Sequence, residues 1–129
     1  MVGIVIVSHS SKISEGVVEL SSQMAGDVKV LSAGGTDDGR IGTDAIKIKE
    51  SIEKANDGDG VLVFADLGSA VMNAQLAIDM LDEDLQKKVL IANGPIVEGA
   101  VVAAVQASIG NNLEEVKQSA EESKNMNKI

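Results

Sequence analysis

The chain has 129 residues, no cysteine, tyrosine or tryptophan, one phenylalanine and a formal net charge of −9. These numbers exclude a disulfide framework, a thiolate metal site and base stacking on protein rings; they also argue against nucleic acid or anionic lipid as partner, since both reward lysine and arginine. The length suits one domain with a real core, and no stretch approaches the roughly 20 apolar residues that cross a bilayer, so a cytoplasmic protein is expected.

Val2–Val7 is a short, mostly β-branched apolar run that reads as a strand buried on both faces. It is too short for a signal segment and has no basic leader. It runs into Ser8-His9-Ser10-Ser11, which holds the chain's only histidine. Ile13, Val17, Leu20 and Met24 then recur at helical spacing and predict a buried stripe, with Ser10 or Ser11 as cap and Gly26 as stop. Asp27–Ala33 is a second strand. The loop Gly34–Gly42 follows, with four glycines in nine positions, a density that lets a backbone bend sharply and approach a ligand or partner.

Thr43 or Asp44 caps the next helix, whose buried line is Ala45, Ile48, Ile52 and Ala55. After the turn 56–60, Val61–Ala65 is a third strand that leads into Asp66-Leu67-Gly68-Ser69. The helix after it is lined by Met72, Ala74, Leu76, Ala77, Met80 and Leu81, and 82–88 is a polar connection. Val89–Ala92 is the fourth strand and ends in Asn93-Gly94-Pro95. From about Ile96 to Ile109 the pattern is helical and apolar nearly all round, which calls for a cover such as a second subunit, hence a homodimer. Asn112 and Glu115 form a capping box for a last helix lined by Leu113, Val116 and Ala120.

Strands alternating with helices predict an α/β fold: a three-layer sandwich around a central parallel sheet, strand order 2-1-3-4. The domain is expected over residues 1–122, with 123–129 a polar tail. In such a sheet, chemistry sits beyond the carboxyl ends of the strands where the order reverses, here between strands one and three. That topology sets His9 beside Asp66. A carboxylate bonded to one ring nitrogen fixes the tautomer and leaves the other nitrogen's lone pair free to attack. Backbone amides around Gly68 and Ser69, and those following His9 from Ser10 on, are donors for an anion at helix starts. A nucleophilic nitrogen facing an anion hole is what transient histidine phosphorylation requires.

Other readings stand beside this one. Asp66 and Ser69 can be plain helix caps, and His9 an ordinary polar residue at a strand end. Arg40, the only arginine, suits a phosphate site but equally an idle loop position. His9 with Asp66, Asp37 and Asp38 could be an oxygen-rich metal site, yet one imidazole without cysteine is poor for zinc. Ser-His-Ser at a strand end is also similar to tetrapyrrole metal chelatases, although the further metal-binding groups those use are not found. No P-loop is present.

Four stretches together carry a resemblance: Val2-Gly3-Ile4-Val5-Ile6-Val7-Ser8-His9-Ser10; Gly34-Gly35-Thr36-Asp37-Asp38-Gly39-Arg40-Ile41-Gly42-Thr43; Asp66-Leu67-Gly68-Ser69-Ala70-Val71-Met72-Asn73-Ala74; and Pro95-Ile96-Val97-Glu98-Gly99-Ala100. In order and at matching separations, they resemble the DhaM family. These are the phosphoryl-carrier subunits of bacterial phosphoenolpyruvate-dependent dihydroxyacetone kinases, whose domain is similar to the mannose-type EIIA of the sugar phosphotransferase system. The resemblance covers about residues 1 to 122. It implies that His9 takes a phosphoryl group from the phosphocarrier HPr and passes it to ADP on the DhaL subunit, which serves DhaK. It further implies a homodimer and Asp66 as the carboxylate orienting His9; no cofactor is expected. The loop residues Gly35, Thr36, Asp37, Gly39 and Arg40 then lie at the rim where a partner docks, with Ser10, Gly68 and Ser69 on the phosphate. A mannose-type sugar-transport EIIA shares the chemistry and differs in its acceptor.

Overall fold

The computed structural model describes all residues, 1–129. Its elements are β1 (Gly3–Val7), α1 (Ser11–Met24), β2 (Val30–Ser32), α2 (Ala45–Ala55), β3 (Val61–Ala65), α3 (Gly68–Asp79), α4 (Glu83–Gln86), β4 (Val89–Ile91), α5 (Ile96–Ser108) and α6 (Leu113–Glu122), with a 3-10 turn over Ser123–Asn125. The four strands form one parallel sheet in the order β2-β1-β3-β4. The expected α/β sandwich is therefore the observed one.

The side-chain period of two explains why β1 is apolar throughout. Val2, Ile4 and Ile6 enter the core beneath α1, α5 and α6, whereas Val5 and Val7 enter the core beneath α2, α3 and α4. β3 divides the same way, Leu62 and Phe64 to the first core and Val61 and Val63 to the second. Gly3, on β1, meets α2 so closely that a Cβ there would lie 2.2 Å from the Ala55 carbonyl oxygen. At this point α2 approaches the sheet through two small residues, and α1 and α3 use serine and alanine at most of their inner positions.

That rule corrects two expectations. In α1 the buried line is Ser14, Val17 and Ser21, while Ile13, Leu20 and Met24 face outward. The reason lies at the end of β2, where Ser14 Oγ bonds Ser32 Oγ at 2.6 Å and Gly34 leaves no room for a larger neighbour. In α3 the buried residues are Ala70, Ala74 and Ala77; Met72, Leu76 and Met80 are exposed. By contrast, α2 buries Ile48, Ile52 and Ala55, as its spacing predicts. Asp44 caps it, accepting from the N–H groups of Ile46 and Lys47. The connection at 82–88 contains the short helix α4, capped by Asp82, a turn too brief to leave a periodic signal. α5 buries Gly99 and four alanines, and α1 and α6 flank it so that its valines at 101, 102 and 105 are half covered. The Asn112–Glu115 capping box is present at α6.

Candidate active site

β1 and β3 are paired in register, Val7 opposite Ala65, so the residues that follow leave the sheet side by side. Past them, the chain on each strand turns into a helix, and the two loops expose polar groups at the same rim. The first of these is Ser8, fully buried, followed by His9; the second is Asp66.

Asp66 is held by four donors. Its Oδ1 accepts from His9 Nδ1 at 2.9 Å and from the Leu67 N–H at 2.7 Å. Its Oδ2 accepts from Ser8 Oγ at 2.8 Å and from the His9 N–H at 3.1 Å. An ionised carboxylate offers about four lone-pair sites and a protonated one fewer, so this arrangement demands the anion. Partial burial works against ionisation, but the bonds from His9, Ser8 and the two backbone amides outweigh it and hold the Asp66 carboxyl below its usual range. The helix-cap reading is not what forms: the N-cap of α3 is Leu67, with no side-chain cap bond.

The imidazole stands at the surface end of this clamp, with side-chain exposure of 23% against 17% for Asp66. Because Asp66 occupies Nδ1 as an acceptor, Nδ1 carries the hydrogen and Nε2 keeps its lone pair. Nε2 meets the Ser69 hydroxyl, which is therefore its donor. Ser69 lies in the first turn of α3, where the N–H groups of Gly68 and Ser69 have no helical acceptor and the helix dipole is positive.

The Gly34–Gly42 loop is latched to the end of β1 at two points. The Gly35 N–H donates to the Ser8 carbonyl at 3.0 Å, and the Gly42 N–H donates to the His9 carbonyl at 2.8 Å. Gly35 has φ of 71°, a conformation that glycine adopts without strain. Between those latches the loop closes on itself. Thr36 Oγ1 donates to Asp38 and accepts from the Arg40 N–H at 3.1 Å, and the Gly39 N–H reaches the Thr36 carbonyl at 3.0 Å. Arg40 Nε pairs with Asp38 at 2.8 Å, both well exposed, and the Thr36 hydroxyl and this guanidinium lower the Asp38 carboxyl. Asp37 is exposed.

The structure thus brings His9, Asp66 and Ser69 into direct contact. Gly68 is beside Ser69, Ser10 opens α1 with its N–H on Ser8 Oγ at 3.1 Å, and Gly35 backs the site. Thr36, Gly39 and Arg40 bond within their own loop rather than to His9, and Asp37 faces solvent. Ser8 escapes a search for exposed reactive groups because it is buried. Its signal is a hydroxyl directly after an apolar strand.

The mannose-type EIIA family model, described as the PTS system fructose IIA component, matches residues 3–117. The chain is 43% identical to the Listeria innocua PEP-dependent dihydroxyacetone kinase 2 phosphoryl donor subunit DhaM, covering 92% of this chain and 95% of that protein. It is 44% identical to the Escherichia coli PEP-dependent dihydroxyacetone kinase phosphoryl donor subunit DhaM over 90% of this chain, which spans only 25% of that longer protein. The crystal structure of EF1359, a protein of unknown function, superposes with a TM-score of 0.85 at 41% identity, covering 93% of this chain and 92% of that one. By sequence and by fold alike, the chain belongs to the mannose-type EIIA family, in the company of its DhaM phosphoryl donor subunits.

Proposed function

We propose that the chain is a phosphohistidine relay: His9 takes a phosphoryl group from HPr and hands it to ADP on the DhaL subunit of a dihydroxyacetone kinase, DhaL in turn serving DhaK. The observation that carries this reading is the hydrogen bond of 2.9 Å from His9 Nδ1 to Asp66, which leaves the Nε2 lone pair at the rim. In the forward step Nε2 attacks phosphorus in line and an N–P bond forms. The bond between phosphorus and the donor breaks, and its electron pair stays with the donor. The ring gains positive character, which the Asp66 anion balances. Ser69 turns its hydroxyl from Nε2 to a phosphoryl oxygen, joined by the first-turn amides of α3 and, across the ring, by those that follow Ser10. Reversal of these events onto ADP discharges the histidine.

Residues of the 34–42 loop, Gly35, Thr36, Asp37, Gly39 and Arg40, form the rim against which partner proteins dock. Leu20 and Met24 on α1, and Met72 and Leu76 on α3, are two separate exposed apolar pairs on opposite faces of the sheet; either is surface that a second copy would cover, which supports a homodimer. No helix is long and apolar enough to cross a membrane, and partners of this kind put the protein in the cytoplasm.

Incubation with enzyme I, HPr and phosphoenolpyruvate is expected to add one acid-labile phosphoryl group per chain, and none to His9→Ala. An acid-stable label, or a label that persists in His9→Ala, overturns the relay. Discharge by ADP-loaded DhaL separates this acceptor from the sugar-transport alternative, which discharges onto a transporter component instead.

A further inference from the structure

We propose that Ser8 is a positioning residue for the histidine: its buried hydroxyl fixes the Asp66 carboxylate in the orientation that selects the reactive tautomer of His9. The inference rests on the relay reading for its kinetic consequence, but its structural content is independent of any phosphoryl donor.

Ser8 follows directly on β1, whose residues are all apolar, and it is fully buried. A buried hydroxyl is costly unless it is bonded, so its presence calls for a reason. Its bonds supply one. A serine hydroxyl has a single hydrogen. The Ser10 N–H, 3.1 Å away, donates to Oγ and occupies a lone pair, which directs that hydrogen to Asp66 Oδ2 at 2.8 Å. The backbone of the same residue is pinned from a third side, its carbonyl accepting from the Gly35 N–H at 3.0 Å. Ser8 therefore joins the start of α1, the start of the glycine loop and the carboxylate.

The geometry at Asp66 shows what the hydroxyl does. Oδ1 faces the imidazole, and Oδ2 is its counterweight, held by Ser8 Oγ and the His9 N–H alone. Without the hydroxyl, Oδ1 keeps the Leu67 N–H at 2.7 Å but Oδ2 keeps only one amide, at 3.1 Å, so the carboxylate can tilt about its terminal torsion. The tilt weakens the bond from Nδ1–H to Oδ1. The ring then shares its hydrogen between its two nitrogens, and every molecule with the hydrogen on Nε2 has no lone pair at the rim. Ser8 never touches the ring, so its effect passes wholly through Asp66.

The test is the imidazole ¹⁵N spectrum of the unphosphorylated chain, with phosphoryl uptake from HPr measured in parallel. Wild type is expected to show Nδ1–H and a bare Nε2. Ser8→Ala should move the ring toward Nε2–H and slow uptake about ten-fold, the size of one lost bond to a charged group. Ser8→Thr should restore both. In an Asp66→Ala background, Ser8→Ala should add nothing. Ser8→Cys keeps the volume with a much weaker donor and reports the same shift if the alanine variant does not fold. A wild-type tautomer in folded Ser8→Ala or Ser8→Cys overturns the proposal, and so does an undiminished Ser8→Ala effect without Asp66, the mark of a merely structural role. A wild-type chain that takes no phosphoryl group defeats the relay reading instead, and the tautomer measurement still decides Ser8.

Discussion

Asp66 shows how four modest bonds make a group pH-sensitive. Its carboxyl is held below the ordinary value, so its stabilising contribution is complete above about pH 4 and is lost as pH falls through the lowered folded value. Asp66→Asn is therefore expected to be less stable than wild type at pH 7, with the gap narrowing once the pH falls below about 4; urea titrations at pH 7 and pH 3 check this. An unchanged gap at pH 3 would show that the charge is not what stabilises. On the chemistry, Asp66→Ala should slow phosphoryl transfer in both directions on the order of 10²-fold, since it releases the tautomer without removing the nucleophile. Rapid-quench kinetics read this, and equal rates would reduce Asp66 to a scaffold residue. His9 and Asp66 were both legible in the chain because a parallel sheet gives its strand ends a common address. Ser69 was legible as a donor near a helix start; that it meets the ring itself depends on a helix position no spacing rule provides.

At the scale of elements, small residues decide which way a helix faces. Apolar spacing marks Ile13, Val17, Leu20 and Met24 on α1, and Met72, Ala74, Leu76, Ala77, Met80 and Leu81 along and just past α3; Val17, Ala74, Ala77 and Leu81 are buried, but Ile13, Leu20, Met24, Met72, Leu76 and Met80 face outward. Serine and alanine take the inner positions because they let the helix come close to the sheet, and periodicity of large side chains is blind to that preference. Where the inner residues are themselves large, as in α2, the spacing reads correctly. Gly34 measures the tightness. A Cβ there would lie 2.1 Å from Ser14 Oγ and 2.9 Å from the Ser10 carbonyl oxygen, so Gly34→Ala must push α1 away from the rim. A loss of about 1–3 kcal/mol is expected in thermal or urea unfolding, together with slower phosphoryl uptake, because the same shift moves the segment next to His9. At the other end, Asn112→Ala removes the cap of α6 and should cost about 1 kcal/mol with uptake unchanged. Loss of uptake in that variant would show that α6 reaches the chemistry.

For the whole molecule, outward-facing apolar residues and the excess of acid set how it meets others. Sedimentation equilibrium should give twice the mass of the 13.3 kDa chain at micromolar concentration; a monomer at that concentration ends the dimer reading. With a net charge of −9, encounters with a cationic partner surface should slow as salt rises and the Debye length shrinks. Stopped-flow association at two ionic strengths checks this. The sequence carries the charge but not the shape of the face that bears it, which only folding defines. The β1–β3 pairing has a further consequence, in time rather than in space. His9 and Asp66 stand 57 residues apart in the chain, and no local turn can join them. The loop between them must close, with β2 and α2 inside it, before either side chain has its partner. During synthesis the histidine emerges before its partner and has no Asp66 to bond until the third strand arrives. On the relay reading, reactivity is therefore a late property of the chain, acquired in the same step that seats its central strand.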